Sequence, residues 1–334
     1  MLYSVHFLRF VAAIGVALHH FGLPNLGGVT VTAAGLDVFF VISGVVIGTS
    51  TAYDTSITVF ALKRLIRIVP LYWLATAAAV LWTAHFSGPP STQQVVRSLL
   101  LWPDLSSNWL PSYLPAWSLV YELWFYAAFA ACMLTGRYAK AACAIIVFIA
   151  AVALEDRSSP SAFGQATLMW VEFCFGLCIA MAIERKLFPS KWLGGILVTV
   201  AIAWFASYPY GHAQRWWGWG IPSALLVYGI LAFDSIPFFR TKLSQLGGNA
   251  SYGIYLFHAT IFGIVAFSIG GIETADRAVA ALFISTILSI LAGCLAFVAF
   301  EAPALTWLRS RLLTPSRRPS SSRPTSLGRP VLTD

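Results

Sequence analysis

The sequence predicts an all-α, polytopic membrane bundle of about ten helices with both termini cytoplasmic. Three observations predict it. Of 334 residues, 58% are hydrophobic and 10% charged, and mean hydropathy is +0.77; soluble domains carry about 25% charged residues. Long apolar runs recur between short polar breaks, which is the pattern of spanning helices rather than of a barrel. Basic residues alternate from loop to loop. Lys63, Arg64, Arg67, Arg137, Lys140, Arg185, Lys186, Lys191, Arg240 and Lys242 fall on one side with the six arginines from Arg309 onward, and only Arg97, Arg157, Arg215 and Arg277 on the other. Lysine- and arginine-rich loops stay in the cytoplasm. The same distribution places the net charge of +8 along a membrane surface, so nucleic acid is not expected as a partner.

The expected spans are 3–23, 32–53, 68–87, 114–134, 139–155, 163–183, 192–208, 217–233, 251–270 and 278–300. The first run has no basic region before it and no clear cleavage site, so it is expected to stay as a helix. It contains Arg9 and His20 in LRFVAAIGVALHH. Eleven steps of about 100° make about three full turns, so the two share one face, roughly 16 Å apart along the axis. Ionisable groups at membrane depth are costly and mark function. His19 points about 100° off that face.

Asp37 lies near the external end of the second run, AAGLDVFFVISGVVIG, as His20 does of the first. It either caps its helix or accepts the imidazole N–H of His20, which would fix the tautomer. KRLIRIVPLYW opens the third span. Arg64 and Arg67 are spaced i, i+3 at the cytoplasmic surface, where they either anchor the helix or offer two guanidinium forks to phosphate. The connection 88–113 is the longest external one, and either covers a site or anchors at the interface through Trp102 and Trp109.

The fourth span begins PAWSLVYELWFY. Glu122 sits inside it among aromatics and needs a partner, with Arg9 the obvious one. Glu172 in the sixth is a weaker candidate. Cys174 and Cys178 share a face there, and the five cysteines read as small packing residues rather than a disulfide or metal site. In GGNASYGIYLFHATI, Tyr252, Tyr255 and His258 repeat an i, i+3 step and form one polar stripe. Glu301, in FEAPALTW, reads as an interface residue. The tail 314–334 is rich in Pro, Ser and Arg and is expected to be disordered, leaving 1–313 as the membrane domain. The acidic residues are too scattered for a metal cage, and no P-loop or dinucleotide motif occurs.

Taken together, LRFVAAIGVALHH, GLDVFFVISG, RLIRIVPLYW and WSLVYELWFY, with SYGIYLFH and FEAP behind them, resemble the acyltransferase-3 family of bacterial inner-membrane acyltransferases, in its exopolysaccharide-production branch. Trp117, Ser118, Leu119, Glu122, Phe125 and Tyr126 keep the family's W-S-L-x-x-E-x-x-F-Y frame. The resemblance implies a ten-helix enzyme that moves an acyl group, commonly acetyl, from cytoplasmic acyl-CoA to a carbohydrate hydroxyl. It implies that Arg9 and His20 are essential and that Arg64 and Arg67, with Tyr72 in the same block, serve the CoA side.

On this reading His20 is general base, Asp37 steadies the imidazolium, Arg9 and Glu122 belong to the catalytic group, and Trp117, Ser118, Tyr252 and His258 face the acceptor. Direct transfer and an acyl-histidine route both remain open. A flippase and a non-catalytic assembly component are the rival classes, although no internal repeat supports a transporter. Expected partners are the carbohydrate and membrane lipid, with a homo-oligomer left open.

Overall fold

A computed structural model of the protein describes residues 2–22, 30–51, 55–86, 88–102, 114–154, 167–208 and 215–313. The expectations for the tail, for Trp109 and for Arg157 fall outside these residues. Twelve α-helices form the described part, and no strand occurs among these residues. They are α1 (Tyr3–His20), α2 (Gly35–Ser50), α3 (Ile57–Phe86), α4 (Thr92–Leu99), α5 (Trp117–Cys132) and α6 (Ala139–Ala153). α7 (Trp170–Glu184), α8 (Lys191–Ser207), α9 (Ile221–Ile230), α10 (Lys242–Ser268), α11 (Ala275–Ala296) and α12 (Ala302–Leu312) follow. Among the described residues, six helical stretches are long and apolar enough to cross a membrane, from Thr32–Ser50 to Ala275–Leu312.

Each expected span holds a helix, but α3 begins at Ile57 rather than 68. The charges of KRLIR lower local hydropathy without breaking the helix, so Arg64 and Arg67 lie on its second and third turns. Ser190, Thr241 and Thr274 cap α8, α10 and α11 by accepting backbone N–H groups, which satisfies donors the helix cannot.

α2 is the central helix. Val41, Val45 and Ile47 are fully buried along it. It crosses α7 at Gly44 and Gly176, where a Cβ on either would strike the other's backbone; glycine permits that approach. α1, α3 and α10 run parallel. His6 meets Gln245 near one end and His20 meets His258 further along, while Tyr252 bonds the Ile68 carbonyl and Phe86 packs on Phe267. Arg240 lies over Tyr3, so α1 and α10 start at one end, the basic end of the bundle.

The connection after α3 folds back. Tyr72 donates to the Ser98 carbonyl at 2.6 Å and Trp73 to that of Leu99 at 3.0 Å. α3 has 30 residues and is about 45 Å long, so α4 reaches back to its middle. α5 starts near that level and returns to the basic end, with Phe129 against Phe60. α4 and α5 together therefore make one interrupted crossing.

Candidate functional site

A cavity of about 480 Å³ opens among α1, α2, α3, α5, α10 and α12, within the usual range for a small-molecule site. Lys63, Arg64, Arg67 and Arg309 line its basic end, and Arg9, Glu122, Ser118 and Tyr255 its inner part. The i, i+3 spacing in α3 brings Arg64 and Arg67 to it together. Arg64 donates to Ser50 Oγ at 2.7 Å and lies over the Phe60 and Tyr126 rings. Arg67 lies over Tyr252 and pairs with Glu301. Glu301 is 2% exposed, which corrects its reading as an interface residue. The π-helical turn Phe297–Glu301 between α11 and α12 puts it inside, against an arginine.

Glu122 accepts from Ser43 Oγ at 3.0 Å and from the Tyr126 hydroxyl. The expected partner Arg9 is within electrostatic reach and lines the same cavity, while its buried Nε makes no hydrogen bond. The inner end is closed by hydroxyls. Ser118 and Tyr255 bond each other at 2.5 Å, and Tyr255 lies 2.7 Å from the Pro115 carbonyl.

His20 is not among the lining residues. It sits about one helical turn further in, beside His258. Its Nδ1 is 2.9 Å from the Val16 carbonyl and 3.2 Å from His258 Nε2. His258 is fully buried, with Nδ1 2.6 Å from the Tyr255 carbonyl. His19 turns edge-on to His20 and takes no part in that contact.

Asp37 is engaged elsewhere, which corrects the expected contact with His20. It is fully buried, and Arg215 grips it in a fork at 2.8 Å to each oxygen. Arg215 also lies over Trp219, and buried Glu172 belongs to the same cluster. The reason is the antiparallel pairing of α1 and α2: Gly35 packs on Ala12 and Val16, which leaves Asp37 well below His20. Tyr72 and Trp117 also lie off the cavity. Tyr72 holds α4, and Trp117 packs on Tyr121.

The acyltransferase-3 profile, described as an acyltransferase domain, matches residues 2–300. The chain belongs to this family. It is 29% identical over 316 residues to the exopolysaccharide production protein ExoZ of Rhizobium meliloti (strain 1021), covering 89% of this chain and 94% of that protein. No solved structure matches.

The sequence singles out neither Lys63, Ser43 and Arg309 at the cavity nor Arg215 beside Asp37. Arg309 reads in the sequence only as one of the basic residues of its side, but α12 runs on past Glu301 and carries it to the cavity. Ser43 gave no signal in an apolar helix. Arg215 shared Asp37's expected side of the membrane, which was the available clue.

Proposed function

We propose that this acyltransferase is a ten-span bacterial inner-membrane enzyme, both termini cytoplasmic, that moves an acetyl group from cytoplasmic acyl-CoA to a hydroxyl of an exported polysaccharide or its lipid-linked precursor. The supporting observation is the cavity. Its basic end offers Lys63, Arg64 and Arg309 to phosphates, and its inner end stops about one turn short of His20. The exopolysaccharide assignment rests on the likeness to the Rhizobium protein.

A sugar hydroxyl is a poor nucleophile at neutral pH and needs a positioned base. His20 takes the hydroxyl proton as the oxygen attacks the thioester carbonyl. The carbon–sulfur bond breaks, and the proton passes on to the departing thiolate, giving ester and free CoA. Arg9, cationic and short of hydrogen bonds, faces the donor's carbonyl oxygen as it becomes an oxyanion. The Tyr255–Ser118 contact has to open for the thioester to reach His20.

Purified protein in nanodiscs, given acetyl-CoA and a lipid extract of producing cells, tests this. Wild type is expected to release thiol. His20→Ala is expected to lose about 10²- to 10⁴-fold, the usual worth of a general base. Arg64→Ala is expected to raise KM for acetyl-CoA and spare kcat. Equal rates in wild type and His20→Ala would remove the base assignment.

A further inference from the structure

The sequence offered Asp37 as the group that fixes the His20 imidazole, and the structure takes Asp37 away from it. Another group stands in that place. We propose that His258 is the positioning residue that holds His20 in its Nδ1–H tautomer and so leaves Nε2 of His20 as the bare, basic nitrogen. The base role itself rests on the function proposed above; the tautomer does not.

The assignment follows from which atoms can donate. A backbone carbonyl only accepts, and a neutral imidazole has one N–H and one bare nitrogen. Nδ1 of His258 lies 2.6 Å from the Tyr255 carbonyl oxygen, so it carries the proton. Its Nε2 is then a lone pair. That lone pair faces Nδ1 of His20 at 3.2 Å. Nδ1 of His20 also lies 2.9 Å from the Val16 carbonyl oxygen, so it carries a proton, and its one N–H is shared between that carbonyl and the His258 lone pair. The two assignments meet as donor and acceptor across the gap between the rings, whose centroids are 5.0 Å apart. Had either carbonyl faced the other ring nitrogen, the two histidines would have opposed proton to proton or lone pair to lone pair.

Burial gives the arrangement its weight. His258 is 0% exposed, so no bulk water competes to fill its role. His20 keeps an exposed face. One histidine is thus walled in and the other presented. After His20 gains a proton at Nε2, its Nδ1–H still points at the His258 lone pair, so the cation keeps an acceptor while Asp37 is held by Arg215. The i, i+3 repeat Tyr252, Tyr255, His258 now divides by task. Tyr252 ties α10 to α3, Tyr255 closes the cavity, and His258 sets the base.

Two substitutions separate the roles of the two ring nitrogens. Asparagine reproduces Nδ1 and lacks any atom at the Nε2 position, whereas glutamine places an amide oxygen there. The experiment is nitrogen NMR of ¹⁵N-histidine-labelled protein in nanodiscs, with His20 assigned by its loss in His20→Ala. Wild type and His258→Gln are expected to show His20 with bare Nε2 and protonated Nδ1. His258→Asn removes one of the two acceptors that the His20 Nδ1–H shares, with the Val16 carbonyl remaining, and is expected to raise the share of the Nε2–H tautomer above that of wild type. A His20 signal that is unchanged in His258→Asn, or Nε2-protonated in wild type, would overturn the proposal.

Thiol release from acetyl-CoA in the same samples tests the base role separately. His258→Asn is expected to lower kcat roughly tenfold to a hundredfold, as removing an orienting partner of a functional histidine does, with KM for acetyl-CoA unchanged and rate recovered in His258→Gln. Full activity in His20→Ala beside an altered tautomer in His258→Asn would leave the positioning intact and remove the base.

Discussion

Asp37 is held on every side. It has no exposure, and both oxygens are taken by the guanidinium of a residue 178 positions away. Removing one partner of such a pair leaves the other charge buried and alone, which costs about 3–5 kcal/mol. Asp37→Asn is therefore expected to lower the thermal midpoint in detergent strongly, and Arg215→Gln to do the same. The double variant is expected to recover part of the loss, since it removes both members of the pair, with Glu172 staying beside them. If Asp37→Asn is inactive but unfolds like wild type, Asp37 acts in the chemistry, as the sequence suggested. That reading placed Asp37 and His20 near the same surface and was right that Asp37 needs a partner. It lacked the registry between α1 and α2, which Gly35 sets by letting the helices touch at Ala12. Hydropathy gives helix spans and is silent on registry.

Between elements, the tightest joint is α2 on α7. Gly44 and Gly176 face each other there, and a Cβ on Gly176 would press into the Val41 carbonyl and Gly44. Gly176→Ala is expected to cost about 1–3 kcal/mol, the range for overpacking, seen as a lower midpoint in thermal unfolding. Gly195, with open space around its α-carbon on α8, is the control: Gly195→Ala is expected to be neutral or slightly stabilising, because alanine is the better helix former. Cys174 and Cys178 read from the sequence as packing residues of α7. Cys174 is buried and Cys178 exposed, so the face they share does not point squarely into the bundle; the contact belongs to the glycine between them. α4 escaped the hydropathy reading because eight residues cannot span, yet it was marked. Ser91 and Gln94 form a capping box, whose S-x-x-Q pattern signals a helix start.

For the whole molecule, the basic end bears on which way the cavity faces, because lysine- and arginine-rich ends favour the cytoplasm. Lys63, Arg64, Arg67 and Arg309 gather at the cavity end that α1, α3 and α10 share as their start. The Lys/Arg asymmetry that orients the chain and the cations that would hold a phosphorylated donor are thus partly the same residues. The basic side is therefore legible in the sequence, whereas the cavity is not: it needs α12 turned inward. The orientation is open to direct measurement. Lys242 and Glu273 are exposed near the two ends of α10, whose 27 residues extend about 40 Å. In a variant with its five cysteines replaced and thiol release retained, Glu273→Cys is expected to react with an impermeant maleimide in intact spheroplasts. Lys242→Cys is expected to react only after permeabilisation. Labelling of both from outside would mean that α10 does not cross the membrane. The reverse pattern would open the cavity away from the cytoplasm, where acyl-CoA is made, and the donor assignment would fall with it.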